Sequence, residues 1–327
     1  MGMHYKHITK DERIKIEALR KEGYSNTDIA EHLGRNRSTI GREFERNYVS
    51  QQISYRATPA EKRRRTVRAQ ANLSRRKLVK GNTLEKSVES MIQQYWSPEQ
   101  VAGVLRKRNH GKTVVSHEVI YQYIYKHRTD LLLFLRQSHK RRYRRRRGTK
   151  EREKRREQKK KRSIEQRPKI VEKRKRLGDW EGDTIVGKEK TERILTYVER
   201  KSGYLIARKI SAKDGSLAEV VLRNTTQAFS KIPKRLKHTV TYDNGIEFSD
   251  YECIERDADM TVFFAHPYHS WERPVNENTN GLLRQFFPKG SPFKDVTQRE
   301  LNKRTRLINK RPRKRHHYNT TENVFKL

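Results

Sequence analysis

The stretch from Lys140 to Arg176 most constrains what this chain can fold into. It holds 22 Lys or Arg side chains and almost no apolar ones. A segment with so little apolar surface cannot form a hydrophobic core of its own, because nothing offsets the entropy lost on folding. The stretch therefore predicts a linker, or an arm that grips a polyanion, with folded regions on either side.

The charge of the whole chain points to nucleic acid as its partner. Its 327 residues carry 78 Lys and Arg against 39 Asp and Glu, a formal net charge of +39. Each basic side chain near a phosphate releases condensed counterions, so a protein this basic binds polyanions. Apolar residues make up only 32% of the chain, so its core must be concentrated in part of the sequence. This balance excludes an ordinary metabolic enzyme.

A membrane surface is the competing polyanion, and the sequence argues against it. The longest strongly apolar run, Leu131 to Leu135, is far shorter than the roughly 20 residues that span a bilayer. Residues Met1 to Arg13 lack the apolar stretch of a secretory signal. We therefore expect no membrane partner and a cytoplasmic, nucleoid-associated protein.

Residues 1–50 predict a helix-turn-helix domain. Thr9 with Glu12, and Ser25 with Asp28, have the spacing of capping boxes, which start two short helices. A turn at Gly34 precedes a third, basic helix, which is the layout of helix-turn-helix DNA readers. The alternative is a small helical bundle whose arginines are merely solvated. The side chains expected to contact DNA are Arg35, Arg37, Ser38, Thr39 and Arg42.

Residues 51–138 predict a second helical region. Ser97, Pro98 and Gln100 form an N-terminal cap before an apolar helical face, and Ser116 precedes another such face. We expect this region to be a second helix-turn-helix that binds DNA, with a plain helical bundle as the alternative. The basic linker or arm then occupies residues 139–176.

From residue 177 the pattern changes to short segments rich in β-branched and aromatic residues, which are typical of strands. Helical segments lie between them, so residues 177–327 predict an α/β domain. The predicted strands are 180–187, 193–198, 204–210, 238–242 and 260–265, and the predicted helices are 217–229 and one that starts at Pro274 and is stopped by Pro288.

Three carboxylates in this domain predict a divalent-metal site. Asp183 lies in mid-strand on the face that it shares with Glu181 and Ile185. Asp243 follows a strand end, where sites in such sheets gather, and Glu277 lies on a polar helix face. Oxygen ligands suit Mg²⁺, and two such ions can promote displacement at phosphorus. Taken singly, each acid also has a structural explanation, as an exposed strand residue, a turn residue or a first-turn acid.

Three strings of the sequence resemble a known family. GDWEGDTIVG (178–187), TYDNGIEF (241–248) and NENTNGLLRQFFPKG (276–290) closely resemble the bacterial insertion-sequence-thirty family of DDE transposases. The 33 residues between Asp243 and Glu277 also match the spacing of that family. The family has N-terminal helix-turn-helix units as well, so the resemblance covers nearly the whole chain.

The resemblance implies a ribonuclease H-like domain, as in retroviral integrases, with a mixed five-stranded sheet and helices. It implies that Asp183, Asp243 and Glu277 are the catalytic acids and the ligands of two Mg²⁺ ions, which Mn²⁺ can replace. The implied activity is cleavage of double-stranded DNA at terminal inverted repeats, followed by strand transfer into target DNA. Other matching positions, expected to contact DNA or phosphate, are Asn278, Asn280, Arg284 and Lys289.

The chain departs from the family pattern at two places. HSWERPV at 269–275 stands where Gln-Arg-Gly and a small residue are usual, which affects the expected loop geometry. Thr321 stands where proline is expected, at a helix start. Neither departure touches the three acids.

Transposition implies a homodimer or larger assembly on DNA, because two element ends must be cut. Two other functions stay open at this point. One is a sequence-specific DNA-binding regulator whose integrase-like domain is inactive, which the intact acids argue against. The other is a basic RNA-binding protein, suggested by the arm.

Overall fold

The chain forms two compact units, Met1–Val79 and Lys80–Leu327. The computed structural model describes residues 7–47, 55–74, 77–136, 161–267 and 269–326. The boundary between the units falls inside the predicted 51–138 region, so that region contributes helices to both of them. Residues 48–50 of the predicted first domain and 139–160 of the predicted arm lie outside the described residues.

Four helices build the first unit. They are α1 (Lys10–Lys21), α2 (Asn26–His32), α3 (Arg37–Asn47) and α4 (Ala57–Ser74). Both predicted capping boxes are present: the Thr9 hydroxyl accepts from the Glu12 N–H at 3.2 Å, and the Ser25 hydroxyl from the Asp28 N–H at 3.3 Å. Gly34 takes a φ of +59° in the turn before α3, a conformation that glycine adopts without strain. The predicted helix-turn-helix layout is confirmed.

A buried ion-pair network closes the small core of the first unit. Ile16 on α1 and Ile40 on α3 are fully buried. Arg13 on α1 is buried too, and it reaches Glu43 on α3 at 2.7 Å and Glu61 on α4 at 3.1 Å. Loss of one partner would leave a buried charge unpaired, so the network fixes α3 against its neighbours.

Three helices begin the second unit. They are α5 (Thr83–Gln93), α6 (Pro98–Arg108) and α7 (His117–His127). The predicted caps are present, because Ser97 forms a capping box with Gln100 and Ser116 accepts from the Val119 N–H. No helix in the described ranges combines the length and apolar character that crossing a bilayer requires.

The short helix α8 (Lys169–Glu172) lies within the predicted arm. Val171 on this helix is fully buried. Ser163 bridges to Phe264, and the Arg162 carbonyl accepts from the Phe264 N–H at 2.9 Å. Residues from this part of the predicted arm thus pack with the α/β fold, ahead of the domain start predicted at residue 177. Their few apolar side chains suffice because they pack on an existing sheet edge.

A mixed five-stranded sheet forms the centre of the second unit, as predicted. Its strands are β1 (Asp179–Val186), β2 (Glu192–Glu199), β3 (Leu205–Ser211), β4 (Thr239–Tyr242) and β5 (Thr261–Phe264). They lie in the order β3-β2-β1-β4-β5. The pairs β3–β2 and β2–β1 are antiparallel, and the pairs β1–β4 and β4–β5 are parallel.

Helices cover both faces of the sheet. They are α9 (Leu217–Phe229), α10 (Tyr251–Ala258), α11 (Pro274–Leu283) and α12 (Gln298–Asn309). Strand side chains alternate, so Trp180 of β1 packs in the core with α9 and α10, and Ile185 packs in the core with α11 and α12. The face that holds Ile185 also holds Glu181 and Asp183, as predicted.

The last described segment folds back on α6. It contains β6 (Pro312–Arg313), β7 (Asn319–Thr320) and α13 (Thr321–Phe325). Lys107 Nζ donates to Asn319 Oδ1 at 2.6 Å. Tyr318 packs so closely on Gly103 that a Cβ atom there would lie 2.0 Å from its ring, so only glycine fits at this position of α6.

Candidate active site

Asp183 lies on β1, and Asp243 directly follows β4, the neighbouring parallel strand. Glu181 of β1 pairs with Thr241 of β4. Continuing this register by two residues brings Asp183 level with Asp243, directly after the end of β4. Because strand side chains alternate, both acids project from the face of the sheet that α11 covers.

Arg273 links the two acids. Its Nη2 donates to Asp243 Oδ2 at 2.9 Å, and its Nη1 lies 3.7 Å from Asp183 Oδ1. Nη1 also donates to the Gly182 carbonyl at 3.0 Å. The Arg273 side chain is only 11% exposed, so water screens its charge weakly. The two carboxylates thus converge on one cation.

Asp183 is a carboxyl group with a raised pKa. Its Oδ1 accepts from the Thr184 N–H at 2.9 Å, and its Oδ2 accepts from Asn280 Nδ2 at 2.8 Å. Burial raises the pKa of Asp183 to about 6, with the Arg273 charge acting to lower it and the Asp243 charge acting to raise it. A further cation near Asp183 would therefore favour its ionised form.

Glu277 lies beside a cavity that it shares with Asp183. Pro274 occupies the start of α11, as predicted, and Glu277 is an exposed acid of the first turn. The cavity has a volume of about 280 Å³, and its lining includes Asp183, Arg273, Asn276, Glu277, Asn280 and Arg284. The structure thus brings Asp183 to Asp243 through Arg273, and to Glu277 through the cavity.

Buried Glu181 holds the start of α11. Its Oε2 accepts from the Asn276 N–H at 2.8 Å, one of the donors that a helix N-terminus leaves unpaired. The Glu181 side chain is fully buried, and Arg200 Nε lies 3.6 Å from its Oε1. Burial raises the pKa of Glu181, against the opposing charge of Arg200. Glu277 follows Asn276 directly, so Glu181 helps to set where Glu277 stands.

The loop before α11 is tied together by Glu272. Its Oε2 accepts from the His266 N–H at 2.9 Å, and its Oε1 lies 2.8 Å from His266 Nδ1 and 3.3 Å from His269 Nδ1. Within the described ranges, this is the one group of three whose possible ligand atoms all lie within 4.8 Å of one another. The three predicted acids are therefore spread more widely. The hydrogen bond to Glu272 raises the pKa of His266.

The three acids nevertheless suit a hard divalent cation. Asp183, Asp243 and Glu277 offer only oxygen atoms, which Mg²⁺ and Mn²⁺ prefer as ligands. Two of them already share one positive charge, that of Arg273. The donor chemistry and this convergence fit the predicted metal.

The predicted DNA contacts of the first unit stand in different surroundings. Arg37, Ser38 and Arg42 are exposed on α3, and Thr39 is half-buried. Arg35 pairs at 2.8 Å with the carboxylate of the α1 capping box, and its side chain is only 19% exposed. Helix α3 thus presents two arginines to solvent, whereas Arg35 also holds the turn against α1.

The predicted DNA contacts near α11 fall into two groups, one exposed to solvent and one at the acid cluster or its cavity. Asn278 and Lys289 are exposed. Asn280 donates to Asp183, so its amide belongs to the acid cluster. Arg284 is half-buried and lines the cavity.

Sequence patterns miss Arg273 as the partner of the acids. It lies directly before Pro274, a position that signals a helix start but says nothing about where the side chain points. Glu181 is visible as an acid on the same strand face as Asp183, yet its bond to α11 depends on how that helix packs. Neither residue has a local signal that identifies its role.

The fold and the site define a class of protein. A helix-turn-helix unit precedes a sheet of three antiparallel strands continued by two parallel ones, with helices on both faces. One carboxylate stands on β1 and another directly follows the adjoining strand β4, under a helix that carries a third acid. This is the predicted architecture, an all-α helix-turn-helix region followed by a ribonuclease H-like α/β domain.

Comparison with known proteins identifies the family. The transposase for insertion sequence element IS4351 of Bacteroides fragilis is 37% identical over 98% of this chain and 96% of that protein. Transposase InsI for IS30C of Escherichia coli (strain K12) is 34% identical over 98% of this chain and 83% of that protein. A probable transposase for IS1161 of Streptococcus salivarius is 32% identical over 99% and 95%. The chain belongs to the insertion-sequence-thirty family of transposases.

Two further comparisons concern parts of the chain. A helix-turn-helix domain family matches residues 4–47. Among solved structures, a chain of the simian T-cell lymphotropic virus intasome in complex with PP2A regulatory subunit B56 gamma has a TM-score of 0.39 and 17% sequence identity. That similarity covers 46% of this chain and 55% of the viral complex chain.

Proposed function

We propose that this protein cuts DNA at the terminal inverted repeats of its own insertion sequence and joins the freed ends to target DNA. The convergence of Asp183 and Asp243 on one cation, beside a cavity lined by Glu277, supports this most directly. The relatives are named as transposases for insertion sequence elements, which supports DNA as the substrate.

Asp183, Asp243 and Glu277 would hold two Mg²⁺ ions, for which Mn²⁺ can substitute. Such ions, when bound, activate the attacking oxygen and stabilise the leaving oxygen at a phosphodiester. Arg273 supplies positive charge to the two aspartates that would hold the ions, through its contacts with Asp243 and Asp183.

The groups around the acids prepare the site. The Thr184 N–H and the Asn280 amide orient the Asp183 carboxylate. Arg284 on the cavity wall is placed to pair with a phosphate oxygen. In the first step, water attacks a phosphodiester and releases a 3′ hydroxyl and a 5′ phosphate. In the second step, that hydroxyl attacks a target phosphodiester and displaces a new 3′ hydroxyl.

The helix-turn-helix unit supplies the recognition of the element ends. Helix α3 presents Arg37, Ser38 and Arg42 on its exposed face, and the Arg13 network holds that helix in place. Basic and hydroxyl side chains on such a helix read base edges and phosphates in the major groove. Helices α6 and α7 are a second candidate DNA-binding region. The test compares the DNA affinity of full-length variants mutated at α3 with that of full-length variants mutated at α6 and α7.

The decisive test is a cleavage assay on the DNA that flanks the gene of this protein. Purified protein is incubated with labelled duplex from both flanks in Mg²⁺ or Mn²⁺, beside the variants Asp183→Asn, Asp243→Asn and Glu277→Gln. We expect position-specific nicks and joined products from the wild type only. DNA binding should stay nearly intact in all three variants, since they alter the metal ligands and not the first unit.

Asp214→Asn is the matched control, because Asp214 is an exposed acid in the turn after β3. It should cut as well as the wild type. Cleavage by the Asp243→Asn protein at the wild-type rate would defeat the assignment of the acids. Binding without a cut in either metal would favour the regulator, and preference for structured RNA over duplex DNA would favour the RNA-binding alternative.

Cutting two ends needs two active sites, so we also propose a homodimer or larger assembly on DNA. Size-exclusion chromatography with light scattering, run with and without end DNA, measures the mass of the complex. A complex that pairs two ends with a single protein chain would contradict the proposal.

A further inference from the structure

Two large apolar side chains are exposed to solvent on the chain segments that carry Asp243 and Arg273. Ile246 is 76% exposed, the highest value among the large apolar side chains of the described residues, and Trp271 is 66% exposed. Trp180, by contrast, is fully buried in the core. An exposed indole offers a large flat apolar surface, and covering that surface with a ligand would be favourable.

Both residues lie close in sequence to the partners of the ion pair between Asp243 and Arg273. Ile246 follows Asp243 by three residues, and Trp271 precedes Arg273 by two. Arg273 Nη2 lies 2.9 Å from Asp243 Oδ2. The two apolar groups therefore belong to the two chain segments that the ion pair of Arg273 with Asp243 joins.

Trp271 is held in its exposed position. Its ring stacks on His269, with the centroids 4.4 Å apart and an angle of 29° between the planes. His269 Nδ1 lies 3.3 Å from Glu272, whose carboxylate also accepts from the His266 N–H. One face of the indole is thus covered by a side chain that is itself fixed. A rigid aromatic platform loses little conformational entropy when a ligand stacks on it.

We propose that Trp271 is a stacking site for an unpaired nucleobase of the DNA strand being processed, with Ile246 adding exposed apolar surface on the Asp243 segment. This rests on the proposed function, because it places DNA at the acids. The charge of +39 selects a polyanion as the ligand, and nucleobases are the flat apolar groups that a polyanionic strand carries. Aromatic side chains stack on any base, so the site does not depend on sequence.

The test measures binding without metal, so that no strand is cut. The full chain is titrated in EDTA against an end duplex with a short single-stranded overhang that carries 2-aminopurine, and against a blunt duplex. Stacking quenches 2-aminopurine. Trp271→Ala should bind the overhang duplex about tenfold more weakly and lose the quenching, in line with one stacked base. Trp271→Phe should keep most of both, and neither variant should change binding to the blunt duplex.

Leu133→Ala is the matched control, because Leu133 is 67% exposed in the same unit. It should leave both affinities unchanged. Overhang binding and quenching by Trp271→Ala at the wild-type level would overturn the proposal. A change of molecular mass in light scattering with Trp271→Ala would also overturn it, in favour of a second copy of the chain covering the indole. Failure of the proposed transposase function can be told apart from failure of the stacking proposal, because the wild type would then not cleave DNA.

Discussion

At Asp183, the requirements of fold stability and of the proposed metal site conflict. Its carboxyl group is held in a place where burial disfavours the charge, and among the described residues only Arg273 offers it an ion pair within 4 Å. The Asp183 carboxyl would have to be ionised to bind a metal, but its ionisation costs free energy when no metal is bound. The folded protein is therefore destabilised at this position by the same carboxylate that a metal-binding site would require.

This destabilisation predicts that Asp183→Asn stabilises the metal-free protein. The pKa of Asp183 is about 6 in the folded chain against an ordinary value of 3.8, so the folded state binds the proton more tightly. Stability then falls as pH rises from about 4 to about 6, and the loss is complete above 6. Asn has no charge to bury, so the variant should be more stable above pH 6 by about 3 kcal/mol. Thermal unfolding in EDTA between pH 4 and pH 8 measures this.

The stabilisation by Asp183→Asn should shrink toward zero near pH 4, where the wild-type carboxyl is largely protonated in the folded state. Asp214→Asn should show no such pH dependence. An equal effect at pH 4 and pH 8 would mean that the variant changes packing rather than charge.

Arg273 pairs with two of the carboxylates that the proposed metal site would use. We predict that Arg273→Met binds Mn²⁺ about tenfold more tightly than the wild type at pH 8, because opposite charges about 4 Å apart near a protein surface interact by a few kcal/mol. Free Mn²⁺ is measured by electron paramagnetic resonance. Arg223→Met, which alters an exposed arginine of α9, serves as the control. Weaker Mn²⁺ binding by Arg273→Met would show that the guanidinium supports the metal instead.

At the level of residues, the sequence predicts the features that strand periodicity and local signals determine. The common face of Glu181, Asp183 and Ile185 is an example, and so are the capping boxes of α1 and α2. The ion pair of Arg273 with Asp243 depends on the position of two distant segments, which no local pattern contains. Thr321 makes another tertiary contact that no local pattern contains. It stands where proline is expected, and its buried hydroxyl donates to the Asn309 carbonyl at 2.8 Å.

Helix α11 is the element on which the geometry of the site depends. Glu181 receives the N–H of Asn276, and the next residue is Glu277. We predict that Glu181→Leu lowers the cleavage rate by about 100-fold, as small displacements of reacting groups do. Glu181→Gln should retain most of the activity, since the amide oxygen still accepts from that N–H. Single-turnover cleavage separates this effect from DNA binding, which should be unchanged in both variants.

Two outcomes would contradict this role for Glu181. One is equal loss of cleavage in the Gln and Leu variants, which would show that the negative charge matters and not the helix contact. The other is full activity of Glu181→Leu in a protein that remains folded by circular dichroism.

At the level of elements, strands and helix starts follow from sequence more closely than helix ends. Strand β2 and helix α9 lie where they are predicted. Helix α11 ends at Leu283, although the predicted stop is Pro288. The chain closes there through turns in which the Gln285 and Phe286 N–H groups bond three residues back. Such a tightened last turn depends on packing beneath the helix, so the proline marks only an outer limit.

Across the whole molecule, the basic arm predicts a steep salt dependence of DNA binding. Residues 140–160 carry 14 Lys or Arg, and residues 161–176 belong to the α/β fold. We predict that replacing these 14 side chains by Gln makes the slope of log affinity against log salt shallower, by about 0.9 for each phosphate that the arm neutralises. Fluorescence anisotropy at several salt concentrations measures the slope. An unchanged slope would show that the arm does not lie on DNA.

The composition of the whole chain predicts a nucleic-acid partner but not where the compact units divide. Helix α4 belongs with the first unit because Glu61 pairs with Arg13, which is far away in the sequence. Helices α5 to α7 belong with the sheet domain for the same kind of reason. Boundaries of this sort are set by tertiary structure, which composition does not record.

The contact between α6 and the last described segment can form only late in the synthesis of the chain. Lys107 meets Asn319 across 212 residues, and the ring of Tyr318 fills the space left by Gly103. A ribosome adding about 5 to 20 residues per second needs roughly 10 to 40 s to make the partner of a helix that has already emerged. During that interval α6 lacks its packing surface. A nascent chain interrupted before residue 318 would therefore carry the acids without the closing contact of its domain.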